Sequence, residues 1–193
     1  MIINKAMILA AGFGKRMLPL TQETPKPLIM IGSKNLLERS IELLIKIGIN
    51  ELIINTHYLP QEIDNFLKTK NYGISINVIH EQELLDTGGG ILNATKKFEN
   101  LPFFVLNPDT IWNKNYYEEL KILENSYLEN NKPILLLVDK KISYDKSFKG
   151  DFNFKKNKCI IREATNQYIF TGAQIVNRSI FENIKEKVFS MNL

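Results

Sequence analysis

Ile8-Leu-Ala-Ala-Gly-Phe-Gly-Lys-Arg-Met17, followed by Thr24-Pro-Lys-Pro-Leu28, is the stretch on which the reading of this chain turns. The apolar run Ala6–Leu9 reads as a buried strand, and it leads straight into a glycine loop. Gly12 and Gly14 lack Cβ, so the backbone can turn sharply there and bring its N–H groups close to an anion. Lys15 and Arg16 add positive charge, and an arginine can grip a phosphate through two parallel hydrogen bonds. Pro25 and Pro27 fix φ on both sides of Lys26, so its ammonium projects from stiff backbone. Such a segment can wrap the phosphates of a nucleotide.

Spacing excludes two common phosphate loops. A P-loop needs four residues between its first glycine and a Gly-Lys-Ser/Thr ending. Here one residue separates Gly12 from Gly14, and Arg16 stands where Ser or Thr is required. A dinucleotide fingerprint needs a third small residue three positions after Gly14. Met17 occupies that position and is too bulky for close helix–strand packing, which argues against a dinucleotide oxidoreductase.

Outward from the loop, apolar runs alternate with longer amphipathic stretches. Ser33 can cap a helix through Ile47, with Leu36, Leu37, Ile41, Leu44 and Ile45 at helical spacing, and Gly48 can end it. Glu51–Asn55 reads as a strand, and Pro60 stands near the start of a helix carrying Ile63, Phe66 and Leu67. Ile74–Ile79 is a third strand, Thr87 opens a helix through Phe98, and Phe103–Leu106 is a fourth strand. Tyr116–Leu128 follows as a helix and Ile134–Val138 as a fifth strand. The order predicts an α/β fold with a doubly wound, mainly parallel, Rossmann-like sheet. After Val138, Phe148–Phe154, Cys159–Ile161 and Tyr168–Val176 read as a small antiparallel β substructure, and Ser179 as the cap of a last helix. Ligands of such sheets lie beyond the carboxyl ends of the strands. The glycine loop, Asn55, Glu81 and Asp109 all follow predicted strands and should converge there.

Composition sets limits on function. The 193 residues are 44% apolar and 24% charged, with a net charge of +4. These values suit a soluble globular domain. Basic and acidic residues are interspersed, so no charge run marks a nucleic-acid face. No stretch is long enough to span a membrane, and the short apolar start runs into the loop rather than a cleavage site. Cys159 is the sole cysteine, which fits a reducing, cytoplasmic compartment.

Two further segments carry chemistry. Asp109 ends Phe103-Phe-Val-Leu-Asn-Pro-Asp109, and a carboxylate at a strand's carboxyl end can hold Mg²⁺ against substrate phosphates. The same residue type also serves turns and helix caps. In Glu81-Gln-Glu-Leu-Leu-Asp-Thr-Gly-Gly-Gly-Ile91, three glycines at a helix start permit close approach of a flat ring, with N-terminal N–H groups free to bind. A flexible helix entry is the plainer reading of the same triplet. His57 and His80 lack ligand-spaced partners and are read as non-catalytic. Trp112, Tyr116 and Tyr117 fit the buried face of a helix better than a stacking surface.

The run Leu9-Ala-Ala-Gly-x-Gly-x-Arg-Met-x-Pro-Leu-Thr21, then Pro25-Lys-Pro-Leu28, resembles the signature of the sugar-1-phosphate nucleotidyltransferases almost without a gap. The resemblance implies substrates, a nucleoside triphosphate and a sugar 1-phosphate, and a Mg²⁺ cofactor. It places Leu9, Ala11, Gly12, Gly14 and Lys15 on the nucleotide. Arg16 and the loop amides would hold the triphosphate, Lys26 would offset charge at the α-phosphate, and Asp109 would bind the metal. Glu81, Thr87 and Gly88 would meet the nucleobase. Asn107, Asp151, Glu163, Thr171 and Gly172 would lie toward the sugar, with Phe170-Thr-Gly172 matching a Thr/Asn/Ser-Gly element. Pro108 departs from the Gly-Asp that the family carries at this point.

Thr87-Gly-Gly-Gly-Ile91 looks most like the N-acetylmuramate-1-phosphate uridylyltransferases of peptidoglycan recycling, as do Ile53-Ile-Asn55 and Lys149-Gly-Asp-Phe152. The implied reaction joins UTP to N-acetylmuramate 1-phosphate. Mannose-1-phosphate guanylyltransferases are close relatives, and one glutamate does not separate uracil from guanine. A non-catalytic nucleotide-sugar-binding subunit of the same fold is the alternative from another class. The family's second metal-binding Asp, in an Asp-x-Gly-Thr-like segment, has no counterpart before Leu193. Asp139, Asp145 and Asp151 lack that context. The expectation is therefore a single nucleotidyltransferase domain, residues 1–193, without its C-terminal end.

Overall fold

The computed structural model describes residues 2–155 and 159–191. Its elements are β1 (Lys5–Leu9), β2 (Met30–Ile31), β3 (Lys34–Asn35), α1 (Leu36–Lys46), β4 (Glu51–Thr56), α2 (Pro60–Lys68) and β5 (Ser75–His80). There follow α3 (Asp86–Ala94), β6 (Phe103–Leu106), α4 (Tyr117–Asn130), β7 (Ile134–Asp139), β8 (Asn153–Phe154), β9 (Ile160–Ile161) and β10 (Tyr168–Val176). Six strands form one sheet in the order β5-β4-β1-β6-β10-β7. β5, β4, β1 and β6 run parallel, while β10 pairs antiparallel with both β6 and β7. The mainly parallel, Rossmann-like sheet is the one the sequence predicts, but Tyr168–Val176 joins it as β10, and only β8 and β9 make the small antiparallel pair.

Period-two alternation explains why the central strands are apolar on both sides. Ala6 and Ile8 of β1, Leu52 and Ile54 of β4, and Phe104 and Leu106 of β6 face a core closed by α1, α2 and α4, through Leu37, Ile41, Ile63 and Leu120. Met7, Ile53, Phe103 and Val105 face the opposite core, closed by Ile91 and Ala94 of α3 with Phe98 and Phe181. Helices therefore cover both faces. Among the described residues, no helix is long and apolar enough to cross a membrane.

Several boundaries differ from the sequence reading. α1 starts at Leu36, not after Ser33, because Gly32 and Ser33 form the turn between β2 and β3. Asn35 is the cap, and its Oδ1 accepts from Glu38 N at 2.7 Å. α3 stops at Ala94, and Lys96–Phe98 is a separate 3₁₀ turn. Of Phe148–Phe154 only Asn153–Phe154 forms a strand, with Phe152 making one bridge to Tyr168. Ser179 caps no helix. It lies inside a four-residue 3₁₀ turn, and Asn177 accepts its N–H at 3.0 Å.

Candidate active site

The chain passes from β1 to β4 and β5 on one side, then returns to β6 on the other. This reversal opens a crevice beyond the carboxyl end of β1, where open α/β sheets bind ligands. A cleft of about 370 Å³ lies there. Its walls are Leu9–Gly12 and Gly14–Met17 from the glycine loop, Lys26 and Pro27, Asn55 from β4, Leu84, Asp86 and Thr87 at α3, and Asn107–Asp109 after β6.

Gly14 sets the path of the loop. Its φ is +66°, and a Cβ there would stand 2.8 Å from Thr21 Cγ2 and 3.1 Å from Lys26 Cβ. Only glycine meets both demands at low cost. Buried Thr21 donates its hydroxyl to Gly14 O at 3.0 Å, and Met17 N donates to the same carbonyl at 2.8 Å. Lys15 and Arg16 are thereby held exposed on a 3₁₀ turn at the mouth of the cleft. Tyr58 adds a brace, its hydroxyl reaching the carbonyls of Thr21 at 3.0 Å and Gln22 at 2.9 Å. Its ring also packs beside Phe13. A lone tyrosine after a strand gives no sequence signal of this role.

Lys26 and Asp109 meet across the cleft, Nζ to Oδ2 at 2.6 Å. Pro25 precedes and Pro27 sits within the 3₁₀ turn that carries Lys26. The turn bearing Asp109 is clamped onto β10. Asn107 N donates to Gly172 O at 2.8 Å, Thr110 Oγ1 to Thr171 O at 2.6 Å, and Trp112 Nε1 to Asn107 O at 2.8 Å. Gly172 has φ +88°, and a Cβ would lie 2.8 Å from Asn107 Cβ, so glycine is needed for this approach. Trp112 is wholly buried, but in the irregular segment before the Lys114–Tyr116 turn rather than on a helix face. The Asp109 side chain keeps 40% of its exposure, so the carboxylate can still take a cation. Among the described residues no group of three or more His, Cys, Asp or Glu forms a metal cage. One carboxylate beside the glycine loop nevertheless fits Mg²⁺, which keeps most of its waters and needs few protein ligands.

The segment Glu81–Ile91 is built differently from the sequence expectation. The flat ring that approaches Gly88 belongs to the chain itself. A Cβ on Gly88 would stand 2.2 Å from Phe189 Cε2. The N–H groups of Gly88 and Gly89 both donate to Phe189 O at 3.0 Å, and Met191 N donates to Thr87 Oγ1 at 2.8 Å. These helix-start donors are therefore already satisfied and are not free for a ligand. Asp86 lines the cleft with φ +59°. Glu81 is 6% exposed and lies behind Asn55 rather than on the cleft wall.

The cleft thus gathers Leu9, Ala11, Gly12, Gly14, Lys15, Arg16, Lys26, Thr87, Asn107 and Asp109. Glu81, Gly88, Asp151, Glu163, Thr171 and Gly172 fall outside its lining. Asp151 Oδ2 accepts from Phe170 N at 2.8 Å, and Glu163 holds Asn153 in the small antiparallel pair. Thr171 and Gly172 support the Asn107–Thr110 turn from behind. His57 and His80 also lie outside the lining, bonded to Glu81 O and Thr56 Oγ1.

The sequence profile of nucleotidyl transferases matches residues 5–141, which hold five of the sheet's six strands and every wall of this cleft. The chain belongs to the nucleotidyl transferase family. A probable mannose-1-phosphate guanylyltransferase 1 of Oryza sativa subsp. japonica is 32% identical over 97% of the chain. The catalytic subunit beta of the Dictyostelium discoideum mannose-1-phosphate guanylyltransferase is 41% identical over 55% of the chain. The chain spans 54% of the rice protein's length and 31% of the Dictyostelium protein's. HddC from Yersinia pseudotuberculosis, solved in complex with GMP-PN, superposes with a TM-score of 0.79. It is 26% identical, with 99% of this chain and 84% of that one covered.

Proposed function

We propose that the cleft transfers a guanylyl group from GTP to a sugar 1-phosphate, yielding a nucleotide-sugar and pyrophosphate. The observation that carries this reading is the Lys26–Asp109 pair beside Arg16 at the carboxyl end of β1. It sets two cations and one carboxylate around the place where a triphosphate and a metal would meet. A sugar phosphate oxygen attacks the α-phosphorus in line, a new P–O bond forms, and the bond to the bridging oxygen of pyrophosphate breaks. A phosphate with second pKa near ~6 is mostly dianionic at neutral pH, so the attack requires no general base. The chain's own part is positioning and charge neutralisation. Arg16 and the loop amides hold the phosphates, and Lys26 faces the charge that builds on the α-phosphate. Asp109 would hold Mg²⁺, which when bound neutralises substrate phosphate charge.

The guanylyltransferase relatives favour GTP and mannose 1-phosphate or a similar sugar over UTP and N-acetylmuramate 1-phosphate. Thr87-Gly-Gly-Gly-Ile91, with Ile53-Ile-Asn55 and Lys149-Gly-Asp-Phe152, favours the uridylyl reading, and with it a role in peptidoglycan recycling. The packing of Gly88 under Phe189 gives that triplet a structural reason instead. The single Cys159 accords with a reducing compartment, and we place the reaction in the cytoplasm. Calorimetric titration with GTP and UTP, each with Mg²⁺, tests the base. Tighter GTP binding supports the proposal, and tighter UTP binding returns the assignment to uridylyl transfer. Nucleotide-sugar binding without pyrophosphate release would make the chain a binding subunit.

A further inference from the structure

Two polar side chains are buried beneath the cleft, Asn55 at 2% and Glu81 at 6% exposure. Asn55 Oδ1 accepts from Ala10 N at 3.0 Å, and its Nδ2 donates to Glu81 Oε1 at 2.7 Å. Glu81 Oε2 accepts from Leu85 N at 3.2 Å. Ala10 is the first residue of the glycine loop, and Leu85 directly precedes α3. A chain of three hydrogen bonds therefore runs from one wall of the cleft to the other. Gly90 closes over it, since a Cβ there would stand 2.8 Å from Asn55 Nδ2 and 2.9 Å from Glu81 Oε1.

Taking the cleft as the nucleotide site, we propose that Asn55 and Glu81 are positioning residues that set the gap between the glycine loop and α3. Glu81 then acts through Asn55 and Leu85, not on the nucleobase. The outer partners, Ala10 N and Leu85 N, are both donors. The pair must therefore offer an acceptor at each end and one donor in the middle. One amide and one carboxylate meet that requirement. Two carboxylates repel each other, and two amides leave an N–H facing an N–H, which is costly when buried. The polarity can also be inverted. An aspartate at 55 accepts from Ala10 N and from a glutamine amide at 81, whose oxygen accepts from Leu85 N.

The test is a cycle of Asn55→Asp, Glu81→Gln and the double variant in the full chain. Each is measured for Kd of GTP, KM and kcat in pyrophosphate release, and thermal midpoint. Asn55→Asp should weaken GTP binding at least about tenfold, through two facing carboxylates, and Glu81→Gln by about threefold or more. The double variant should return to within about threefold of the wild type, with unchanged preference for GTP over UTP. Throughout, KM for nucleotide should move while kcat at saturation holds. A double variant no better than Glu81→Gln alone, or one that fails to fold, overturns the inference, and that comparison stands even if Asn55→Asp alone is unfolded. A changed GTP-to-UTP preference in both Glu81→Gln and the double variant would make Glu81 a base reader and also overturn it. If wild-type protein binds no nucleotide, the functional reading falls and this inference with it.

Discussion

Replacing Gly14 by alanine tests how the glycine loop is held. The residue sits at φ +66°, and the new Cβ would stand 2.8 Å from Thr21 Cγ2 and 3.1 Å from Lys26 Cβ. The left-handed backbone costs an L-residue about 1–2 kcal/mol. Overpacking against a buried threonine adds about 1–3 kcal/mol. Together about 2–5 kcal/mol oppose the loop conformation seen here, and at 1.4 kcal/mol per decade this weakens nucleotide binding at least about 30-fold. The loop is peripheral and should yield before the sheet does. Loss of the Thr21–Gly14 hydrogen bond costs about 1 kcal/mol, or about 2–4 °C in thermal midpoint. Gly12→Ala is the control, because nothing lies within 4 Å of a Cβ there. Its midpoint should stay within about 1 °C of the wild type, since no overpacking arises. Calorimetry with GTP and a thermal melt read both quantities. Wild-type GTP binding by Gly14→Ala, or an equal midpoint loss in Gly12→Ala, would refute the strain argument.

Lys26→Ala should leave the fold intact and lower turnover about a hundredfold or more, the loss typical of one transition-state charge contact. Near-normal pyrophosphate release from a folded variant would remove Lys26 from the machinery. Asp109→Asn should weaken Mg²⁺-dependent GTP binding, because a neutral amide is a poorer ligand for a hard cation. Unchanged Mg²⁺ dependence would put the ion elsewhere. Away from the cleft, the Lys5 ammonium and then Lys97 hold the Glu51 carboxyl below its usual range. A lowered carboxylate pKa stabilises the fold above the ordinary value, and the benefit is lost as pH falls through the depressed one. Glu51→Gln should therefore cost about 0.5 kcal/mol or less at pH 7, since the pair is partly exposed. The melts of variant and wild type should converge on acidification through the carboxylate range. A gap that persists there would assign the effect to packing.

The sheet was legible because each central strand is a short apolar run bounded by turn residues, and the helices between carry apolar residues at helical spacing. The glycine-loop wall of the cleft was equally legible, since Gly14, Arg16 and Lys26 are close in sequence and line the cleft together. What failed were roles decided by distant segments. Ser33 looked like a cap, yet Gly32 turned the chain into a hairpin and handed the role to Asn35. The glycine triplet looked like a ligand platform, but Phe189, roughly a hundred residues on, packs against it. The place of Glu81 beside the nucleobase comes from the family resemblance alone. The structure bonds its carboxylate to Asn55 Nδ2 and Leu85 N, a pairing that no local pattern encodes.

The central claim is nucleotidyl transfer to a sugar 1-phosphate. GTP labelled at the α-phosphate, incubated with the purified chain, Mg²⁺ and mannose 1-phosphate, tests it most directly. The account predicts that the label moves into a nucleotide-sugar while an equal amount of unlabelled pyrophosphate is released. Label recovered as free GMP or GDP, or retained in GTP with mannose 1-phosphate and N-acetylmuramate 1-phosphate alike, would contradict it.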